Sequence, residues 1–265
     1  MKNYYYVHTG HRIGLDRFRR ACTTIRALGD ADITLLCSDF RIAQVARDFG
    51  VEKSVGIDVV RNIPHIANHG DKLIFDSDEA NPVMLEDMKQ FFSTFIHVKS
   101  NEVVVDDKYC EQKDKTIKIA YFFGDDDYEK DLEKNLSFVE DLNPDLLLGF
   151  YYFLDYEDML KEKFKNYHEF EDYDEVIQKS EILITASPQA VLENLASGGK
   201  PIYIQRDDYI TEFQEIFENL NIPIIKKYNK AEFIEVISSI NSHNYVKLKQ
   251  NNYNLVDLIK ENLTL

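Results

Sequence analysis

The sequence predicts an α/β protein made of two tandem Rossmann-like, doubly wound domains that meet at a cleft. Short apolar runs of strand length alternate with segments of helical spacing along the whole chain. The length of 265 residues suits two domains of roughly 110–150 residues each. The alternation restarts after the polar segment 107–115, DKYCEQKDK. We therefore assign residues 1–110 to an N-terminal domain and residues 111–265 to a C-terminal, nucleotide-binding-type domain.

The first half alternates strands with helices. Over Leu15–Leu28 the apolar residues recur at helical spacing, and Asp16 can cap this helix or lie in its first turn. Pro82 suits a first helical position, where a backbone N–H is not needed. The predicted strands are Tyr4–His8, Ile33–Cys37, Ser54–Ile57, Lys72–Phe75, Phe95–Val98 and Val103–Val105. The other predicted helices are Arg41–Phe49, Val59–Asn68 and Pro82–Phe92.

The second half repeats this pattern. Gly124 ends its first strand, and the acidic triplet 125–127 opens a segment predicted as a helix to about Leu142. The predicted strands are Ile117–Phe123, Leu146–Tyr151, Ile182–Thr185, Pro201–Ile204 and Ile222–Ile225. The further helices are Glu157–Lys165, Tyr173–Lys179, Gln189–Ser197, Tyr209–Leu220, Glu232–Ile240 and Val256–Leu263. Such alternation predicts a parallel sheet covered on both faces in each domain.

Composition and charge exclude several kinds of partner. The formal net charge is −16, of which residues 113–265 contribute −13. A strongly acidic protein repels nucleic acid and anionic membranes, so we expect neither as a partner. No apolar run approaches the roughly 20 residues of a membrane span. The three cysteines, Cys22, Cys37 and Cys110, have no metal-ligand spacing and suggest buried thiols. We expect a cytoplasmic protein without metal or cofactor, and the oligomeric state stays open.

The stretch 182–206, ILITASPQAVLENLASGGKPIYIQR, predicts a strand–turn–helix–strand unit. Ser187 suits the N-cap, Pro188 suits the first helical position, and Gly198 ends the helix. The first N–H groups of such a helix point beyond the carboxyl end of the preceding strand, where they suit a phosphate. The alternative is a well-capped crossover without a ligand, because a cap needs no ligand.

Several segments resemble the GT-B architecture of nucleotide-sugar enzymes. They are IGLDRFRRA, LIFDSDEANP, FFGDDD and LITASPQAVLENLASGGKPIYI. Their order over nearly the full chain is similar to that in the UDP-sugar hydrolase of pseudaminic acid biosynthesis. The resemblance implies an enzyme of surface-glycan biosynthesis with a UDP-linked sugar in its interdomain cleft. It also implies that loops and helix N-termini of the second domain hold the diphosphate.

The resemblance assigns nucleotide-binding residues in the second domain. Gly124 and the turn formed by Ser187, Pro188 and Gln189 would approach the nucleotide. The related enzymes carry a carboxylate on the following helix for the ribose hydroxyls. Here the choice lies between Glu193 and Asn194. The spacing from the turn Gly199-Lys200-Pro201 favours Asn194.

The acidic run 125–127 departs from the pattern of these enzymes, which have glycines and a small hydroxyl residue near the phosphates. Three carboxylates there would repel a diphosphate unless a divalent cation intervened or they pointed to solvent. The alternative interpretation is an acidic first turn of the following helix.

In the first domain, the resemblance places the catalytic group in the loop before the first helix. The hydrolase has glycine-histidine there, whereas this chain has Asp16 and Arg17. Arginine keeps its proton at any working pH and cannot act as a general base. His11 is a candidate base, with a solvated loop histidine as the alternative. Asp76 ends a strand on the side of the expected site and is a further candidate carboxylate.

These features predict a glycosyltransferase-like or hydrolase-like protein that acts on a nucleotide-activated, UDP-linked sugar. The absence of the hydrolase histidine makes transfer to an acceptor as reasonable as transfer to water. The alternative is a GT-B-derived binding or assembly protein that has lost catalysis. The sugar, the nucleotide base and the acceptor are not indicated by the sequence.

Overall fold

The computed structural model describes residues 1–29, 31–209, 211–248 and 254–263. Within these ranges the chain forms two compact units, each with one parallel β-sheet. The first unit contains residues 1–104 together with the last helix, and the second unit begins at Val105. The predicted fold class of two Rossmann-like α/β units is confirmed.

The first unit has a five-stranded sheet. Its strands are β1 (Asn3–Val7), β2 (Ile33–Cys37), β3 (Ser54–Gly56), β4 (Lys72–Asp76) and β5 (Thr94–His97). All pair in parallel, in the order β3-β2-β1-β4-β5. The helices are α1 (Asp16–Ala27), α2 (Phe40–Val45) and α3 (Pro82–Phe91), with a 3₁₀ helix at Val60–His65. Pro64 lies inside this 3₁₀ helix, where it lacks an N–H donor, and the α-helix predicted over Val59–Asn68 is absent.

The core of the first unit centres on β1. Its side chains are buried on both faces, as expected for a central strand of a covered parallel sheet. The ring of Tyr6 stacks on that of Phe75 with centroids 5.4 Å apart. One face packs a cluster of Tyr4, Tyr6, Leu36, Ile57, Val60, Ile63, Ala67, Leu73, Phe75, Met88 and Phe92.

The second unit has a six-stranded sheet. Its strands are β6 (Ile117–Phe122), β7 (Asp145–Leu147), β8 (Tyr167–His168), β9 (Ser180–Thr185), β10 (Lys200–Gln205) and β11 (Ile224–Lys226), in the order β11-β10-β9-β6-β7-β8. The helices are α4 (Asp131–Lys134), α5 (Leu154–Lys163), α6 (Tyr173–Lys179), α7 (Pro188–Ala196), α8 (Gln214–Asn219) and α9 (Lys230–Ser239). Short 3₁₀ helices lie at Asp107–Cys110, Leu136–Phe138, Glu140–Leu142, Phe170–Asp172 and Ile240–Ser242.

Each sheet reverses its winding direction once. In the first unit the chain runs outward from β1 to β3 and then continues on the other side with β4 and β5. In the second unit β6, β7 and β8 extend to one side, and β9, β10 and β11 to the other. The reversal points therefore lie between β1 and β4 and between β6 and β9. In open α/β sheets these are the places where ligands bind, beyond the carboxyl ends of the strands.

The division of the chain differs from the predicted boundary at residue 110. The segment 107–110 is not a free linker, because Tyr109 is 2% exposed and its hydroxyl donates to Asp174 in the second unit. The last helix, α10 (Asn254–Leu263), belongs to the first unit although it was assigned to the second domain. It contacts α1 and β5, and Lys72 Nζ donates to the Leu263 carbonyl oxygen at 2.7 Å.

Two further segments differ from the sequence-based prediction. Residues 103–105 form no strand. The helix predicted from the acidic triplet to Leu142 is broken into α4 and two 3₁₀ helices, because the backbone leaves the helical conformation at Asn135 and Val139. Lys130 and Asn143 adopt left-handed conformations at the two ends of this segment. None of the helices in the described ranges is long and apolar enough to cross a membrane.

Candidate functional site

A histidine–carboxylate pair lies at the reversal point of the first sheet. His8 directly follows β1, and its backbone N–H donates to the Asp76 carbonyl oxygen at the end of β4 (3.2 Å). Its Nε2 atom lies 3.8 Å from Oε1 of Glu79, three residues beyond β4. The Glu79 N–H donates to Ser77 Oγ at 3.0 Å, which fixes the turn that carries the carboxylate. Two adjacent strand ends therefore bring His8 and Glu79 together.

The surroundings of His8 favour its neutral form. Partial burial lowers the pKa of His8, because removal from water disfavours the imidazolium. Glu79 and Asp78 oppose this shift, whereas the positive charge of Arg17 reinforces it. A neutral imidazole can accept a proton at neutral pH, as a general base must. Because Glu79 faces Nε2, it favours a proton on that nitrogen and leaves Nδ1 as the acceptor.

Two of the predicted catalytic residues lie at the start of α1. Asp16 is the first residue of α1 and lies in its first turn, where a negative charge is favourable. Arg17 forms an ion pair with Asp78, on the turn after β4. The structure thus brings Arg17 close to the His8–Glu79 pair through Asp78, and the roles predicted for Asp16 and Arg17 stay predictions.

The other two predicted catalytic residues have contrasting environments. Asp76 is fully buried and receives two bonds from Arg20, at 2.5 and 3.0 Å, and one from the Tyr5 hydroxyl at 3.0 Å. This geometry favours a structural role for Asp76 over the predicted catalytic one, because its oxygens are committed inside the protein. His11 is exposed, in a loop where Gly10 and Gly14 form an isolated bridge.

In the second unit, the turn between β9 and α7 has the predicted cap. Ser187 Oγ accepts from the Ala190 N–H at 3.1 Å, and Pro188 occupies the first helical position. The Ser187 N–H donates to Thr185 Oγ1 at 3.0 Å. The helix therefore begins at the carboxyl end of β9, beside the reversal point of the sheet. Because the cap already satisfies part of the first-turn N–H groups, a phosphate there would share this helix end with Ser187.

Asn194, one of the two residues predicted for the ribose, is bonded to the backbone near the start of β9. The Asn194 amide donates to the carbonyl oxygens of Ile177 and Ser180, at 2.9 and 3.2 Å. Ser180 begins β9, so Asn194 lies near the amino end of the sheet, away from the expected ligand edge. A side chain at Gly199 would come within 2.3 Å of Asn194 Oδ1. Asn194 thus joins α6, α7 and β9, and the preference for it as the ribose residue is not supported by this geometry.

Glu193 and Gln189 form a buried hydrogen-bond pair on α7. Gln189 Nε2 donates to Glu193 Oε1 at 2.8 Å, and the Tyr173 hydroxyl donates to Glu193 Oε2 at 2.7 Å. Both side chains are less than 5% exposed. The carboxylate therefore ties α7 to the start of α6, and its predicted contact with a nucleotide stays a prediction.

The acidic run after β6 is built into the local backbone. Asp127 accepts the N–H groups of Asp131 and Leu132, at 2.7 and 3.0 Å, and the Tyr156 hydroxyl. Burial raises the pKa of Asp127 above its ordinary value, although these three donors oppose the shift. Asp127 therefore binds the first N–H groups of α4 from the preceding turn. Residues 125–127 are not the first turn of this helix, because its N-cap is Lys130 and its acidic first-turn residues are Asp131 and Glu133. Within the described ranges, no group of three or more His, Cys, Asp or Glu residues is placed to hold a metal ion.

Arg206 lies against the turn that contains Gly124. Gly124 has a φ of +134°, a conformation that side chains other than glycine rarely adopt. Arg206 directly follows β10 and donates through Nη1 to the Asp126 carbonyl oxygen at 2.7 Å. Its guanidinium lies 4.7 Å from the centre of the Phe123 ring and pairs with Asp208. This buried positive charge lies among the acidic residues at the carboxyl edge of the second sheet.

Sequence reasoning missed His8, Glu79 and Arg206. Each lies in or beside a loop that directly follows a strand, at the edge where a parallel sheet carries its site. His8 was read as the last residue of a strand, and Arg206 as the end of the 182–206 unit. The available signal was their position at strand ends, whereas the pairing of His8 with Glu79 depends on a spatial neighbour 71 residues away that the sequence does not reveal.

Comparison with solved structures shows that the chain has the GT-B fold. The UDP-GlcNAc 2-epimerase of Methanocaldococcus jannaschii, in complex with UDP-GlcNAc and UDP, is similar with a TM-score of 0.60 and 10% identity, over 98% of this chain and 100% of that chain. A glycosyltransferase from Rickettsia africae has a TM-score of 0.59 and 10% identity, over 99% of both chains. MurG from Acinetobacter baumannii has a TM-score of 0.51 and 11% identity, over 98% and 100%. No protein-family model and no curated protein matches the sequence.

Proposed function

We propose that this protein is a glycosyltransferase-like enzyme that acts on a nucleotide-activated sugar, with a UDP-sugar as the first candidate. The observation that carries the proposal is the GT-B fold, which extends over 98% of the chain in the comparison with an epimerase bound to UDP-GlcNAc and UDP. The His8–Glu79 pair at the reversal point of the first sheet supports it, because this edge suits a reactive group. A place in surface-glycan biosynthesis, which the sequence resemblance implies, is part of the same proposal.

In the proposed reaction His8 acts as the general base. Its neutral imidazole takes the proton of an acceptor hydroxyl, and the acceptor oxygen forms a bond to the anomeric carbon of the sugar. The bond from that carbon to the diphosphate oxygen breaks, and the nucleoside diphosphate leaves with the electron pair. Positive groups and backbone N–H donors stabilise the charge that develops on the leaving group. With water as the acceptor the same steps give hydrolysis, as the resemblance to the pseudaminic acid pathway hydrolase implies.

The nucleotide is proposed to bind the second unit at the turn Ser187-Pro188-Gln189 and beside Gly124. The support is the position of both turns at the carboxyl ends of adjacent strands, β9 and β6. A helix N-terminus favours an anion. The carboxylates of the acidic run 125–127 work against binding. Arg206, which pairs with Asp208, places a buried guanidinium next to this run and reduces the repulsion.

The first test is nucleotide binding by thermal shift with UDP, ADP, TDP and their sugar derivatives. A ligand at 100 times its Kd adds about 2.7 kcal/mol of stability. The expected result is a rise in Tm with at least one nucleotide or nucleotide sugar. No rise with any member of the panel would contradict the proposal.

The second test is turnover, followed as release of the nucleoside diphosphate. His8→Asn removes the proposed base and is expected to lower kcat by about 10²–10⁴-fold while nucleotide binding persists. His65→Asn is the matched control, because His65 is an exposed residue of the same unit. His11→Asn tests the other candidate base. Full turnover by His8→Asn, with loss in His11→Asn, would transfer the role to His11.

A binding or assembly protein without catalysis is the second candidate. The observation that favours it is the acidic run 125–127 at the proposed phosphate edge, where carboxylates oppose a diphosphate. This candidate predicts nucleotide-induced stabilisation without release of a diphosphate from any sugar nucleotide. The two tests above therefore separate it from the enzyme.

A further inference from the structure

Tyr6 contacts the histidine–carboxylate pair, because its hydroxyl donates to Glu79. Tyr6 and His8 are two residues apart at the end of β1. Side chains at i and i+2 of a strand point to the same face. Tyr6 is fully buried, and its ring stacks on Phe75 with an interplanar angle of 14°. The position of its hydroxyl is therefore fixed by packing.

The two oxygens of Glu79 have different partners. Oε2 accepts the Tyr6 hydroxyl and the Ser77 hydroxyl, the latter at 3.1 Å. Oε1 is the oxygen that faces His8, at 3.8 Å from Nε2. Ser77 also accepts the Glu79 N–H, and its carbonyl oxygen lies 3.0 Å from His97 Nε2. Oε2 of Glu79 therefore accepts two hydrogen bonds, whereas Oε1 faces the imidazole of His8.

A buried tyrosine hydroxyl needs a hydrogen-bond partner, but that partner need not be a carboxylate. Tyr4 shows the contrast, because it lies on the same face of the same strand and donates to the backbone carbonyl oxygen of Ile66 at 3.3 Å. The Tyr6 hydroxyl instead donates to the carboxylate of Glu79, which faces His8. Hydrogen bonds to a charged group are stronger than those to a neutral one, and they orient it.

We infer that Tyr6 and Ser77 are positioning residues that act on His8 through Glu79. Their hydrogen bonds to Oε2 draw negative charge away from the oxygen that faces His8 and thereby lower the proton affinity of the imidazole. The catalytic consequence of this arrangement rests on the proposed function, whereas the arrangement itself does not. Neither residue is assigned a contact with a substrate.

The electrostatic effect of removing the tyrosine hydroxyl has a definite sign. Donors on Oε2 withdraw negative charge from the carboxylate. Without the Tyr6 donor, Glu79 stabilises a protonated His8 more strongly, so the pKa of His8 rises. Asp78 acts on His8 in the same direction as Glu79, and Arg17 acts in the opposite direction. These three charged groups are unchanged in a Tyr6→Phe variant. A difference in the pKa of His8 between this variant and the unsubstituted protein therefore reports the effect of the hydroxyl.

The experiment is an NMR titration of the His8 imidazole in the full chain, assigned by comparison with His8→Asn. Tyr6→Phe is expected to raise the pKa of His8 by up to about 0.7, because a hydrogen bond is worth about 1 kcal/mol and one pKa unit is about 1.4 kcal/mol. Ser77→Ala is expected to shift the pKa of His8 in the same direction. Glu79→Gln removes the negative charge and is expected to lower it.

Tyr4→Phe is the matched control, because it removes the hydroxyl of another tyrosine on the same face of β1 without touching Glu79. It is expected to leave the pKa of His8 unchanged while costing a comparable amount of stability. Equal pKa values of His8 in Tyr6→Phe and Tyr4→Phe would overturn the inference, and so would an unchanged value in Glu79→Gln. The titration needs no substrate. A shifted pKa without any nucleotide-sugar turnover would refute the proposed function alone, and turnover with an unshifted pKa would refute this inference alone.

Discussion

Asp76 and Arg20 illustrate how a strand-end carboxylate becomes part of the core. Asp76 lies at the carboxyl end of β4, next to the proposed site, but both of its oxygens are bonded to Arg20. The same guanidinium donates to the carbonyl oxygens of Ser100 and Glu102, at 2.9 and 2.8 Å. The pair therefore joins α1, β4 and the segment after β5 within the first unit.

Removal of one partner from this pair leaves the other as a buried, uncompensated charge. Asp76→Ala is expected to lower the free energy of unfolding by about 3–5 kcal/mol, as measured by urea denaturation. Glu52→Ala provides the comparison, because Glu52 pairs with Arg47 at the surface and both side chains are 75% exposed. This variant is expected to change stability by about 1 kcal/mol or less. Equal effects of the two substitutions would show that the buried pair is not a structural anchor.

The lowered pKa of His8 also predicts a pH dependence of stability. Its value in the folded state lies below the ordinary value of 6.5, so the unfolded chain binds more protons between the two values. Stability from this group is fully present above pH 6.5 and is lost as the pH falls toward the folded-state pKa. In His8→Asn, the loss of stability between pH 7 and pH 5 in urea denaturation is therefore expected to be smaller than in the unsubstituted protein. The control His65→Asn should retain the full loss, and a full loss in His8→Asn would contradict the assignment.

At the scale of elements, two helices begin with the same type of cap. Asn81-Pro82 starts α3 and Ser187-Pro188 starts α7, and each polar side chain accepts a backbone N–H three residues later. Only the second helix lies at the proposed nucleotide edge. Substitutions at these two caps therefore distinguish the effect of a cap on stability from its effect on ligand binding.

We expect Asn81→Ala and Ser187→Ala to destabilise the protein by similar amounts, about 1 kcal/mol each, because each removes one N-cap bond. Only Ser187→Ala is expected to reduce the nucleotide-induced rise in Tm. The measurement is the thermal shift of both variants with and without the best-binding nucleotide. If both variants kept the full rise, the β9–α7 turn would not be part of the nucleotide site.

The limits of strands and helices were predicted best where the residues within the element determine them. Strand β2 and helix α6 have the predicted limits, because apolar periodicity marks both segments in the sequence. The contacts of Asn194 were not predicted, because its amide partners, Ile177 and Ser180, are backbone carbonyls of another helix and strand. The His8–Glu79 pair was missed for the same reason, since sequence spacing does not show which strand ends are neighbours.

At the scale of the whole molecule, the chain returns to its first unit at the end. The sequence predicted α10 as a helix but assigned it to the second domain, because adjacency along the chain was the only guide. Its apolar side chains Leu255, Val256, Ile259 and Leu263 are buried, and it contacts α1 and β5. The helix is therefore expected to contribute to the stability of the first unit rather than of the unit that precedes it in the sequence.

Deletion of residues 254–265 tests this expectation. The deletion exposes the apolar surfaces of α1 and β5 that α10 covers and removes four buried side chains, each worth at most about 1.5–3 kcal/mol. Hydrogen exchange with mass-spectrometric detection resolves the two units separately. Backbone amides of β1, β4 and β5 should lose protection, whereas those of β6 and β9 should keep it. Leu258→Ala is the control, because Leu258 lies on the same helix with 45% exposure and should leave protection in both units nearly unchanged. Loss of protection in both units to the same extent would mean that their stabilities are not separable, and the division drawn at Val105 would then have no energetic meaning.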